Sequence, residues 1–186
     1  MTPKTQSLPS GQIQVWDIAV RLFHWGLVAS VLLSYGLTDP RPVHRFLGYT
    51  VLGLIGFRLI WGFVGTKHAR FVNFIPGPRR LKAYLGDMLH GREARYLGHN
   101  PAGSAMVVML LTLLMAVGAT GYMMGLDAYF GKSWVEEAHE TLVNILFVLI
   151  GCHIAGVIYA SWRHRENLVK SMLTGKKEIH EPAQHR

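Results

Sequence analysis

Residues 141–162 read TLVNILFVLIGCHIAGVIYASW, an apolar run without a single charged side chain. A helix needs about 20 such residues to cross the hydrocarbon core of a bilayer. Three more stretches meet that length: about Ile18–Leu37, about Phe46–Val64, and about Ala102–Met124, which is also free of charge. Together they predict an all-α integral membrane four-helix bundle. Composition agrees. Half of the 186 residues are hydrophobic, 16% are charged, and the mean hydropathy is +0.22, against roughly 25% charged in soluble domains. The formal charge of +8 does not imply nucleic-acid binding, because it sits between apolar runs and not on one soluble face. A single cysteine, Cys152, rules out an intrachain disulfide and any Cys-based metal cage.

The placement of Lys and Arg gives an orientation. Fifteen fall on the side that holds the two chain ends and the 65–101 loop, including Lys4, Arg21, Arg79, Arg80, Arg95, Arg163 and Arg186. Three, Arg41, Arg45 and Lys132, fall on the other side, and Arg58 lies inside the second span. The positive-inside rule puts both termini in the cytoplasm of a multi-pass protein of the bacterial inner membrane. The expected divisions are a polar N-terminal tail over 1–16, a four-span domain over 17–165 and a basic cytoplasmic tail over 166–186. The first span is too long for a signal-peptide core, and no cleavage is expected. After the Pro76-Gly77-Pro78 break, Leu81, Tyr84, Leu85, Met88 and Leu89 recur at helical spacing. This predicts an amphipathic interfacial helix in the cytoplasmic loop, or one packed under the bundle.

Ten histidines are present. His68, His90, His99, His164, His180 and His185 lie in tails, loops or span ends, where solvated imidazoles are the ordinary reading. The other four match in depth. His24 and His153 each sit about 10–14 Å from the cytoplasmic end of their spans, at about 1.5 Å per residue. His44 and His139 begin the second and fourth spans at the outer face. His139 and His153 are fourteen residues apart, close to four turns, so one helix face offers an imidazole to each leaflet. Polar residues at such depths are costly and usually functional.

Each pair supplies two nitrogen ligands. Zinc takes four, or three and a water, and no carboxylate lies at the right depth. Haem iron needs only two axial ligands, so two bis-histidine b haems fit the count. With no open coordination position, such iron serves electron transfer. Arg58 lies fourteen residues after His44, at the depth of the inner pair, where a haem propionate is a suitable partner. Arg21, one turn before His24, is a second candidate, with phospholipid the alternative partner for both arginines; at the outer face the candidate is Arg45 or Lys132.

The segments VWDIAVRLFHW (Val15–Trp25), HRFLGY (His44–Tyr49), FRLIWGFVG (Phe57–Gly65) and GHNPAG (Gly98–Gly103), with the His139…His153 pair, resemble the bacterial cytochrome b561 family. That family also contains the b-type cytochrome subunits of nickel–iron hydrogenases. The resemblance implies a diheme membrane cytochrome with His24, His44, His139 and His153 as ligands. It also implies electron exchange between quinone and a partner: a periplasmic cytochrome c, a hydrogenase-like enzyme, or superoxide. A homodimer is a further expectation. The chain looks shorter than a subunit of a larger complex, which weighs toward a free-standing protein. Two rival classes are a histidine-based metal or proton transporter and a haem-free membrane anchor.

Overall fold

The computed structural model describes residues 11–178. Its elements run β1 (Gln12–Gln14), α1 (Ile18–Gly36), α2 (Arg41–Val64), α3 (Phe71–Phe74), α4 (Pro78–Leu89), α5 (Pro101–Met123), α6 (Ser133–Arg163), α7 (Leu168–Thr174) and β2 (Lys176–Glu178). Helices α1, α2, α5 and α6 are the four long, apolar ones, and each is uninterrupted. The chain is an all-α membrane helical bundle, as the hydropathy predicts.

Two helices begin earlier than their apolar runs. α2 starts at Arg41, with a proline at its start and Asp39–Pro40 before it. α6 starts at Ser133, eight residues before Thr141, with Glu136 in its first turn. Hydropathy marks where the bilayer begins. A helix continues beyond it when its polar first turn suits the positive end of the dipole. His139 therefore lies nearly two turns inside α6.

α1 packs on α2, α2 on α5, and α5 on α6. The shared core is Phe23, Val51, Ile55, Leu111, Leu114 and Leu146. Helices in lipid gain from close packing and not from leaving water. At Gly118 of α5 a Cβ would lie 2.4 Å from Leu52 of α2, so this glycine permits the α2–α5 approach. α1 and α6 meet through long side chains instead, with the Tyr35 and Phe147 rings 4.2 Å apart.

The side of the bundle that carries both chain ends has a cap of its own. β1 and β2 pair antiparallel, Gln12 with Glu178 and Gln14 with Lys176. The amides of Val15 and Trp16 both donate to the Gly175 carbonyl, at 2.8 and 3.0 Å. Gly175 has φ +82°, a left-handed conformation that glycine tolerates without strain. Val15, Trp16, Val20 and Ala69 form a second small core with Met172 and Trp61. Residues 12–16 and 168–178, expected as tails, are thus ordered and joined to each other. Residues 1–10 and 179–186, including Lys4, His180, His185 and Arg186, lie outside the described residues.

Charge pairs hold this cap. Glu166 accepts from Arg95 and from Lys177, the latter at 3.1 Å. Glu93, its side chain nearly inaccessible, pairs with Arg163 at 3.0 Å and accepts from the Tyr159 hydroxyl at 3.2 Å. α4 satisfies both sequence readings. Tyr84 is buried, on a helix packed against α5, whereas Leu85 and Leu89 keep an exposed apolar edge.

Candidate functional site: two histidine pairs

The four depth-matched histidines are all half-buried, and the fold sets one of the two pairs face to face. His44 and His139 face each other with ring centroids 6.3 Å apart and planes at 77°. Two imidazoles that bind one metal from opposite sides, at about 2.0 Å each, have centroids roughly 6 Å apart. The protonation pattern agrees with that use. His44 Nδ1 donates to the Ser34 carbonyl at 2.8 Å, with Ser34 Oγ 3.2 Å away. His139 Nδ1 donates to the Val117 carbonyl at 3.1 Å, and Thr120 Oγ1 lies 3.1 Å from the same nitrogen. A carbonyl only accepts, so both protons sit on Nδ1. Nε2 is left with a bare lone pair, the form a metal-binding imidazole takes.

Local sequence sets this arrangement. Ser34 is on the last turn of α1, directly before the short connection to α2. Val117 and Thr120 are one turn apart on α5, and Thr120 Oγ1 also bonds the Ala116 carbonyl at 3.0 Å. Gly121 leaves room for the ring, because a Cβ there would lie 3.2 Å from His139 Cε1. Arg45 is exposed and reaches the α5–α6 connection, where its Nη2 would lie 3.4 Å from a Cβ at Gly125.

The second pair is built differently. His24 on α1 and His153 on α6 are electrostatic neighbours. His24 Nδ1 is buried without a hydrogen-bond partner, and the ring lies edge-on to Trp25, 4.9 Å away. Arg58 is 3% exposed. Its Nη2 donates to the Ala69 carbonyl at 3.0 Å, and its Cζ lies 4.8 Å from the Phe71 ring. Arg58 is therefore turned into the protein, away from lipid. Arg21 donates to the Leu173 carbonyl of α7, with its Nε buried and unpartnered. Asp17 clasps the ends of α1 and α2. It accepts from Val20 N at 2.8 Å, Thr66 Oγ1 at 2.5 Å and Trp61 Nε1 at 3.2 Å. Burial works against the charged carboxylate, but these bonds together hold its pKa below the usual value.

His99 differs from its sequence reading. Instead of being solvated, it is half-buried at the start of α5. It lies 4.6 Å from the Trp16 ring and 4.7 Å from the Phe74 ring. Its Nδ1 is buried and unpartnered. Burial, and then the charges of Arg58, Lys177, His153 and His68, push its pKa down to about 3. Trp16 is buried at 8% exposure in the cap core. The Gly98–Gly103 motif was the only sequence signal at His99. Spacing gave none, because the neighbours come from five separate segments.

The family model for prokaryotic cytochrome b561 matches residues 15–175. The chain belongs to that family: it is a b-type cytochrome, a membrane-embedded haem b protein of electron transport. A Rhizobium leguminosarum bv. viciae protein named probable Ni/Fe-hydrogenase B-type cytochrome subunit is 21% identical over 89% of this chain and 88% of its own length. One of the same name from Azotobacter vinelandii is 25% identical over 88% and 87%, and one from Cupriavidus necator 24% over 87% and 85%. The alignments run over 211 and 212 residues, more than the 186 of this chain, so these relatives carry inserted residues that it lacks. No solved structure matches.

Proposed function

We propose that this cytochrome carries electrons across the bacterial inner membrane through two b haems, one held by His44 and His139 and the other by His24 and His153. The observation that carries this reading is the His44–His139 geometry, with facing rings 6.3 Å apart and both Nδ1 protons committed to carbonyls. Each haem iron supplies one-electron exchange between its ferric and ferrous states. The protein fixes both imidazole tautomers, keeps the rings in place and surrounds the path with apolar side chains. α6 contributes one ligand to each pair, so a single helix links the two sites.

Both termini are cytoplasmic in this reading, on the charge asymmetry of fifteen to three. The His44–His139 site then faces the periplasm. Electrons pass between membrane quinone and a redox protein there. The names of the relatives favour a hydrogenase-like partner over a free cytochrome c. The transporter reading expects broken helices around a midplane site, and the four spans here are unbroken. Arg58, Arg21 and Arg45 are the candidate partners for haem carboxylates.

Haem counting tests the assignment. The purified protein should give two haems per chain by pyridine haemochrome. His24→Ala or His153→Ala should give one, with the spectrum of the other site intact. His44→Ala or His139→Ala should leave the complementary spectrum. Any single variant that keeps both haems unchanged would overturn the pairing.

A further inference from the structure

Five buried side-chain N or O atoms lack a hydrogen-bond partner among the described residues: Arg21 Nε, His24 Nδ1, Arg58 Nη1, Glu93 Oε2 and His99 Nδ1. An unmade bond of this kind is costly, because the group has left water without gaining a new partner. Four of the five are nitrogens, and two of these, Arg58 Nη1 and His99 Nδ1, belong to side chains that share one aromatic neighbour. Both side chains lie against Phe74: Arg58 Cζ is 5.8 Å from that ring and His99 is 4.7 Å from it. Trp16 covers the other contact of His99 at 4.6 Å. Arg58 is the strongest charged neighbour of His99, and His153 also acts on it. A guanidinium with an unused N–H beside an imidazole suits a carboxylate, which accepts several strong charge-assisted bonds.

We propose that Arg58 and His99 together hold one carboxylate, a propionate of the porphyrin ligated by His24 and His153. This rests on the two-haem reading above. It adds His99, which lies outside the spans and belongs to no histidine pair, to the cofactor site. A phospholipid headgroup would satisfy the same donors, but Arg58 is 3% exposed and sits behind Phe71, Phe74 and the cap. The two donors draw negative charge away from the haem edge, so they favour the ferrous state. Removing either one lowers the midpoint potential of that haem alone.

The test is potentiometric titration of the holoprotein in nanodiscs, made with phosphatidylcholine alone or with added phosphatidylglycerol. Arg58→Leu should shift the ferrous-to-ferric ratio of the His24–His153 haem about tenfold toward ferric, 59 mV for one electron. His99→Ala should shift it about threefold. His99→Asn keeps an N–H near the Nδ1 position and should return it toward wild type. The His44–His139 haem should not move, and both lipid compositions should agree. If His99→Ala does not fold, His99→Phe fills the aromatic box without a donor and is read in the same way. An unchanged potential in a variant with two haems overturns the proposal, as does a shift seen only with phosphatidylglycerol. A wild type with one haem would instead refute the two-haem reading.

Discussion

The His44–His139 pair is supported locally, whereas the His24–His153 pair is supported from a distance. Around the first, every described hydrogen bond to a ring comes from the neighbouring transmembrane helix: Ser34 on α1 for His44, Val117 and Thr120 on α5 for His139. Around the second, the nearby groups arrive from the cap. Ala69 accepts from Arg58, Leu173 accepts from Arg21, and Trp25 Nε1 donates to the Met172 carbonyl at 3.4 Å. Two histidine pairs of one bundle can therefore differ in what disturbs them. The first depends on helix register, and the second on a small folded assembly outside the spans.

The largest effect should come from the helix the two sites share. In the double variant His139→Ala/His153→Ala, both haems should be lost, because in the proposed assignment α6 supplies a ligand to each. Pyridine haemochrome should give no haem, while circular dichroism still shows a helical protein. Retention of either haem would mean that ligand comes from elsewhere and would remove the symmetry between the pairs.

Acid should separate the two sites. Burial opposes the charged form of Glu166, but Lys177 and Arg95 together hold its pKa below the usual carboxylate value. Glu93 is likewise lowered, with burial opposed by a backbone bond, Arg163 and Tyr159. A carboxylate with a depressed folded pKa contributes stability above its unfolded pKa and loses it as pH falls through the folded one. The cap should therefore loosen only below the ordinary carboxylate range of about 4. Limited proteolysis should then cut near residues 166–178, and the spectrum of the His24–His153 haem should change before the other. Simultaneous change at both sites would contradict the separate support argued here.

The smallest effect isolates one bond at the locally held site. Thr120→Val removes the hydroxyl 3.1 Å from His139 Nδ1 but leaves the Val117 carbonyl in place. One hydrogen bond is worth about 0.5–1.5 kcal/mol net, so the midpoint of that haem should shift by at most about 60 mV. The other haem should stay fixed in the same titration.

The sequence alone determined the four spans, since the bilayer demands a length of apolar residues that nothing else in the chain satisfies. It also placed His44 at the depth of His139 and His24 at the depth of His153, because depth along a straight helix follows from the residue number. Helix ends were less legible. α6 extends eight residues beyond its apolar run, because backbone hydrogen bonding does not stop where hydropathy does. Only the tertiary structure decided the surroundings of the second pair. His99, Trp16, Phe74 and Arg58 are distant in sequence, and no periodicity links a loop histidine to a helix arginine. Only the tertiary structure, too, joined the two chain ends through β1 and β2. Short polar strands such as Gln12–Gln14 and Lys176–Glu178 carry no signal of their own. Their pairing exists because the ladder and the Glu166–Lys177 pair satisfy groups that either segment alone would leave to water.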